Sequence, residues 1–144
     1  MDDLTAKAVE AIKKKVSEEP YAGRMRMRLI DLEPGHAVVE MALDVDSANM
    51  LGSPHGGAIF SLIDEAFEAS SNSHGTVAVA LSCNVSYLRA PRIGDVLRAE
   101  SKEVSRSRTI GTYFIEVRDT EGQLIATCDA MAYRKSDPLP FISG

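Results

Sequence analysis

Asp64 is the residue whose type and position most clearly suggest chemistry in this sequence. It lies near the middle of the run HGGAIFSLIDEAFEASSNS, residues 55–73, in which apolar and small side chains cover most of a helix at helical spacing. A helix of this kind is usually buried in a core, where a carboxylate needs a partner or a function. Glu65 and Glu68 fall on one polar stripe of the same helix, which we interpret as a solvated face. Asp64 lies at the border of that stripe and is therefore the stronger candidate.

Gly56 and Gly57 begin this helix and leave its backbone open to close approach by another molecule. The first amides of a helix have no partner within it and carry a partial positive charge of about half a unit. Such a terminus suits an anion or a developing oxyanion. Asp64 follows Gly57 by seven residues, two turns along on roughly the same side, which predicts a cleft that contains both. The residues alone equally allow a plain loop-to-helix turn with Asp64 solvated at its edge.

The segments around this helix predict an α+β fold. Residues 3–17 have a helical pattern that Glu19 and Pro20 end, and residues 44–54 form a polar loop that leads into the long helix. Alternating apolar residues predict six strands, at residues 24–32, 37–43, 76–88, 96–105, 109–119 and 123–134. One apolar helix followed by a meander of strands is typical of an antiparallel sheet wrapped around that helix. We expect the proline-containing residues 136–144 to be poorly ordered.

Composition and charge restrict the class of function. The chain has 144 residues, enough for one domain with an ordinary core, and its formal net charge of −5 argues against nucleic acid as a partner. Cys83 and Cys128 lie in apolar runs without metal-ligand spacing, which predicts free thiols and a reducing cytoplasm. The charged first residues lack the apolar core of a signal peptide, and no stretch is apolar enough to span a membrane. Because no group of residues has zinc-site spacing, we expect no metal. The sequence also has no G-x-G-x-x-G or P-loop pattern, and we expect no cofactor.

Three segments carry a resemblance to a known family. HGGAIFSLIDEAF at residues 55–67, NSHG at 72–75 and YLRAPRIGD at 87–95 resemble the hotdog-fold acyl-CoA thioesterases of the phenylacetate-pathway, PaaI-like type. The resemblance implies a hotdog domain over residues 23–135, with an N-terminal helix at 1–22 and a tail at 136–144. It also implies that the protein hydrolyses acyl-CoA thioesters to a free acid and coenzyme A. Its active sites would lie at the interface of a homodimer, which often pairs again into a homotetramer.

The resemblance assigns roles by position within these segments. Asp64 matches the catalytic carboxylate, either a general base or a nucleophile, and Gly57 matches the residue whose amide polarises the thioester carbonyl. His55 matches a residue that shapes the oxyanion site, and Asn49 matches an asparagine that orients substrate or water. Gly56 contributes to the open backbone at which the substrate is expected to bind.

Further residues are candidates for contact with the substrate. Some relatives place a serine near Ala80, and Ser82, two residues on, would have the same facing in a regular strand and could replace it. Four arginines could reach the phosphates of coenzyme A, although surface arginines near turns are also common: Arg89, Arg92, Arg106 and Arg108. His36 and His74 lie in turn-like contexts, so we expect both to be exposed to solvent.

The alternative function is a non-catalytic acyl-CoA-binding module of the same fold, acting as a sensor or a partner protein. Sensor versions usually carry an added helical DNA-binding domain, and roughly twenty residues before the first strand are too few for one. The carboxylate at position 64 also favours chemistry, so the enzyme is the preferred interpretation.

Overall fold

Three helices and a six-stranded sheet make up the computed structural model, which describes residues 1–142. The helices are α1 (Asp3–Glu18), α2 (Pro20–Arg24) and α3 (Gly56–Asn72), with a short 3₁₀ turn at Val45–Ser47. The strands are β1 (Met27–Glu33), β2 (His36–Ala42), β3 (Thr76–Tyr87), β4 (Val96–Arg106), β5 (Ile110–Arg118) and β6 (Leu124–Pro138). Paired strands are antiparallel and follow the spatial order β1-β2-β4-β5-β6-β3. The predicted α+β fold is confirmed.

The long helix α3 contacts all six strands and forms the centre of the core. Leu62, Ile63 and Ala66 are completely buried, in one apolar cluster with side chains of β2, β4, β5 and β6. Burial of a leucine or isoleucine side chain stabilises the fold by about 1.5–3 kcal/mol, and truncating Leu62 to alanine would cost about 2–5 kcal/mol. The helix ends at Asn72, and Gly75 then turns the chain into β3 with a φ of 99°, a conformation that favours glycine. The sequence pattern and the packing of α3 therefore agree.

Strand β3 lies at an edge of the sheet beside β6, although it precedes β4 in the chain. The sheet is therefore not a simple meander, because β4 pairs with β2 instead of β3. Most β3 side chains are exposed, including the large apolar ones of Val79 and Leu81 at 43% and 54%. An exposed apolar edge strand offers unpaired backbone groups to another chain.

The C-terminal residues pack against α1, contrary to the expectation of a poorly ordered tail. β6 continues to Pro138, and the amide of Leu139 donates a hydrogen bond to the carbonyl of Gly75 at 3.1 Å. Leu139 is buried in a second apolar cluster with Ala8 and Ile12 of α1. Residues 143–144 of the expected tail lie outside the described residues.

Two histidines expected at the surface instead pair with glutamates on β4. His36 Nε2 lies 2.6 Å from a carboxylate oxygen of Glu100, and His74 Nε2 lies 2.8 Å from Glu103 Oε1. The His74 side chain is only 11% exposed, so the expectation was wrong for this residue. Burial lowers the pKa of His74, which fits a structural role at the end of α3.

Among residues 1–142, no helix combines the length and the apolar character that crossing a membrane requires.

Candidate active site

The loop before α3 fixes the start of that helix. Asn49 Oδ1 accepts hydrogen bonds from the amides of Leu51 and Ser53 at 2.9 and 3.1 Å, which closes the loop on itself. The amide of His55 then donates to the carbonyl of Ser47 at 2.6 Å. Asn49 thus holds the loop through its oxygen, and its side-chain amide group is the part left for a substrate or a water.

His55 caps the helix through its side chain. Its Nδ1 accepts a hydrogen bond from the Gly57 amide at 2.8 Å, so this predicted oxyanion donor has a partner in the structure. The Gly56 amide, in contrast, has no acceptor within residues 1–142. Gly56 is held from its other side, because its carbonyl accepts a hydrogen bond from the Tyr87 hydroxyl at 3.3 Å. The first turn therefore offers one free amide, and a second if the His55 imidazole turns away.

Asp64 lies two turns further along α3. Its side chain reaches solvent in the protomer, and its carboxylate accepts no hydrogen bond from the described residues. The protein around the carboxylate desolvates it, and the nearby charge of Glu19 adds to this effect, so the pKa of Asp64 is raised above its usual value. A carboxylate that is unpaired and more basic than usual suits proton abstraction or nucleophilic attack.

A cavity of about 350 Å³ lies beside Asp64, between α3, the start of β3 and the junction of α1 with α2. The junction covers α3 because α1 stops at Glu18 and Pro20 begins a new helix in another direction. The Tyr21 hydroxyl lies 2.7 Å from Ser61 Oγ and joins this corner to α3. The cavity is therefore a built feature of one protomer, with Asp64 in its wall.

Three further carboxylates line this cavity and form a cluster, which we call the carboxylate cluster: Glu19, Glu65 and Glu68. One oxygen from each lies within 4.8 Å of the other two, a spacing that could hold a cation. Glu65 is only 4% exposed, which corrects its expected place on a solvated face. Its Oε2 atom has no hydrogen-bonding partner within residues 1–142. Within residues 1–142, no lysine or arginine forms an ion pair with any of these three glutamates.

Burial and mutual repulsion keep protons on this cluster. Burial, reinforced by the neighbouring glutamates, raises the pKa of Glu65 to about 9. Burial and the charge of Glu19 likewise raise the pKa of Glu68 to about 7. At neutral pH, Glu65 is therefore a neutral acid.

A β-bulge in β3 separates the facings of Ala80 and Ser82. Ala80 pairs with Ala132, whereas Ser82 pairs with Met131, the adjacent residue of β6, because the register shifts between them. Ala80 consequently faces the cavity and α3, while Ser82 faces the outer side of the sheet. The expectation that both residues have the same facing was wrong. Ser82 therefore lacks the geometry for holding a water near Asp64.

The structure separates the four candidate arginines into two groups. Arg89 follows Tyr87, whose hydroxyl contacts Gly56, so it lies toward the N-terminal end of α3 together with Arg92. Arg106 is the last residue of β4 and lies near His74 at the opposite end of α3, and Arg108 follows it in the β4–β5 connection. Since α3 has 17 residues, these ends are roughly 25 Å apart. The group at Arg89 is the one near the first turn of α3.

The sequence places this chain in a known family. The sequence model of the Thioesterase superfamily matches residues 51–126, from the loop before α3 into β6. The chain belongs to this superfamily. A putative esterase of Archaeoglobus fulgidus is 38% identical over 113 residues, which cover 78% of this chain and 73% of the relative. The acyl-coenzyme A thioesterase PaaI of Escherichia coli is 34% identical over 106 residues, covering 74% of this chain and 76% of the relative.

Solved structures agree with this assignment. The E. coli PaaI protein from the phenylacetic acid degradation operon superposes with a TM-score of 0.88 at 29% identity, covering 94% of this chain and 99% of that chain. A Streptococcus mutans protein bound to acetyl CoA superposes with a TM-score of 0.75 at 27% identity, covering 78% and 91%. The predicted PaaI-like hotdog fold of this thioesterase superfamily member is confirmed.

The carboxylate cluster is the part of the site that the sequence did not indicate. Glu65 and Glu68 are three residues apart on α3, which predicts that they are neighbours. Glu19, however, comes from the α1–α2 junction, and no local pattern brings it to α3.

Proposed function

We propose that this protein hydrolyses acyl-CoA thioesters to a carboxylic acid and coenzyme A, with Asp64 as the catalytic carboxylate. The observation that carries the proposal is the unpaired Asp64 carboxylate, of raised pKa, on the central helix of a thioesterase superfamily fold. The names of the relatives support the same reaction, since PaaI of E. coli is an acyl-coenzyme A thioesterase. Incubating the protein with a panel of acyl-CoAs and measuring thiol release tests this directly. No thiol release from any aromatic, medium-chain or short-chain ester would contradict the proposal.

Asp64 can promote hydrolysis of the thioester by either of two routes. As a general base it takes a proton from water, and the resulting hydroxide attacks the thioester carbonyl carbon. As a nucleophile it attacks that carbon itself, and water then cleaves the anhydride. In both routes the carbon–sulfur bond breaks and the coenzyme A thiolate leaves and takes up a proton. A single turnover in ¹⁸O water tests the nucleophile route, because attack of water on the Asp64 carbon of the anhydride places ¹⁸O in the Asp64 carboxylate, which the general-base route does not do.

The oxyanion formed in either route needs donors, and we assign these to the first turn of α3. The Gly56 amide is free in the structure, and the Gly57 amide becomes free when the His55 imidazole rotates away from it. Both amides lie where the helix terminus favours negative charge. His55 thereby shapes the oxyanion site, and Asn49 positions the loop that carries it.

A second copy of the chain is needed to bring Asp64 and these amides to one carbonyl. Helix amides point toward the N-terminus, whereas Asp64 lies seven residues, roughly 10 Å, in the opposite direction from Gly57. One thioester carbonyl therefore cannot accept from the amides and meet Asp64 of the same protomer. We propose a homodimer in which β3 edges pair, so that each α3 terminus faces the partner's Asp64. The exposed edge strand β3 supports this arrangement.

We further propose that dimers pair into tetramers through the outer face of the sheet. Four neighbouring apolar side chains support this, all between 37% and 54% exposed: Val79, Leu81, Met131 and Tyr133. Light scattering at micromolar concentration tests both assemblies, since the chain mass is 15.6 kDa. A mass of two or four chains agrees with the proposal, and a monomer would contradict the shared active site. We place the enzyme in the cytoplasm, supported by the two free cysteines Cys83 and Cys128.

A further inference from the structure

We propose that the cavity beside Asp64 selects acyl groups that end in a cationic hydrogen-bond donor, an ammonium or a guanidinium, held by the carboxylate cluster. This inference rests on the proposed hydrolysis of acyl-CoA, and it assigns Glu19, Glu65 and Glu68 as specificity-determining residues. The cluster and the catalytic carboxylate share one cavity wall, so a molecule that fills the cavity from Asp64 meets the cluster.

Charge decides which half of the substrate enters this cavity. Coenzyme A carries phosphates, which the carboxylates around the cavity repel. Phosphates are instead attracted to the arginines toward the N-terminal end of α3, such as Arg89. With the thioester carbonyl at Asp64, coenzyme A therefore extends away from the cluster and the acyl group extends into the cavity.

The cluster is also incomplete without a donor. Glu65 is only 4% exposed, and its Oε2 atom lacks a hydrogen-bonding partner within residues 1–142. A buried polar atom without a partner costs free energy that a bound donor recovers. The oxygens of the three carboxylates lie within 4.8 Å of one another, so one guanidinium or ammonium can reach more than one of them.

The position of the cluster sets the length of the preferred acyl group. Glu68 follows Asp64 by four residues, which is one helical turn and roughly 6 Å along α3. A cation at the cluster therefore lies about that far beyond the reacting carbonyl, within reach of a short unbranched chain. Long or purely apolar acyl groups would instead leave the carboxylates desolvated without a partner.

Two CoA esters of equal size and different charge test the inference. We compare 4-guanidinobutanoyl-CoA with the neutral isostere 6-methylheptanoyl-CoA in buffer containing a chelator. For the wild type, kcat/KM for the cationic ester should exceed that for the neutral ester by about ten- to a hundredfold, the effect of a hydrogen bond to a charged group. A bound cation favours the ionised carboxylates and displaces the proton of Glu65, so Glu65→Gln and Glu68→Gln, which cannot ionise, should each reduce this ratio about tenfold. Glu10→Gln on the exposed face of α1 should leave the ratio unchanged. Glu19→Gln serves as the second variant if Glu65→Gln does not fold.

Binding of both esters to Asp64→Asn separates this inference from the proposed reaction. A cationic preference in Kd without any turnover by the wild type would contradict the hydrolase function and support the cluster assignment. Turnover without a cationic preference in either kcat/KM or Kd would overturn the cluster assignment alone. A cationic preference that persists unchanged in both Glu65→Gln and Glu68→Gln would likewise overturn the cluster assignment. Tight binding of Mg²⁺ or Ca²⁺ that is lost in Glu65→Gln would assign the cluster to a metal ion instead and overturn the inference.

Discussion

Replacing Glu65 by glutamine should make the protein more stable, by an amount that grows with pH. Burial and the neighbouring glutamates raise the pKa of Glu65 from an ordinary 4.5 to about 9. The stability contributed by the protonated acid is complete below pH 4.5 and is lost progressively as the pH rises toward 9. Each pH unit in this interval costs about 1.4 kcal/mol, or about 3 kcal/mol between pH 5 and pH 7. Glutamine is neutral throughout and does not incur this loss.

Thermal unfolding followed by circular dichroism at pH 5, 6 and 7 measures the effect. The difference in Tm between Glu65→Gln and the wild type should widen by roughly 6–12 °C over this interval. Glu10→Gln is the matched control, because the Glu10 side chain is 77% exposed and its replacement should give no pH-dependent difference. A constant difference between pH 5 and pH 7 would refute the protonated state of Glu65. A Tm difference between Glu65→Gln and the wild type that becomes smaller from pH 5 to pH 7 would also refute it.

Three further predictions concern the reaction site. Gly56→Pro and Gly57→Pro each remove an oxyanion donor and should each lower kcat by about a hundredfold or more in the thiol-release assay, with folding checked by circular dichroism. A folded variant that hydrolyses at the wild-type rate would show that its amide is not an oxyanion donor. Arg89→Ala should raise KM for acyl-CoA at low salt, whereas Arg108→Ala at the far end of α3 should not. An equal rise in KM for both variants would contradict the assigned direction of coenzyme A. The rate of the wild type should rise with pH as Asp64 ionises, with a midpoint above that of an ordinary aspartate because its pKa is raised, and an acid limb centred below pH 4 would contradict this.

The long helix was predictable from sequence because a single local pattern determines it. Residues 55–73 carry an apolar helical pattern, and the structure has α3 at Gly56–Asn72. The N-terminal helix and the strands β2 to β5 follow their patterns to within one residue at each end, and β6 continues four residues beyond its predicted end. The first strand begins later than predicted because residues 20–24 form α2, a helix too short to show a periodic pattern.

Features that depend on distant parts of the chain were not predictable in this way. The alternation in β3 predicts a strand but not its edge position, since the strand that pairs with it lies some fifty residues further on. The bulge between Ala80 and Ser82 reverses the facing of everything beyond it, and no residue type marks it. Glu65 looked solvated because a helical pattern does not show that the α1–α2 junction covers that face.

The rate of thiol release by Asp64→Asn tests the central claim most directly. Asparagine keeps the size and hydrogen-bonding shape of aspartate, so the variant should fold, assemble and bind acyl-CoA as the wild type does. It cannot accept the proton or attack the carbonyl, so hydrolysis should fall by roughly a hundred- to ten-thousandfold. Glu10→Gln, on the exposed face of α1, should hydrolyse acyl-CoA at the wild-type rate. A folded Asp64→Asn that releases thiol at the wild-type rate would contradict the account, and binding of acyl-CoA without thiol release by the wild type would favour a non-catalytic acyl-CoA-binding module.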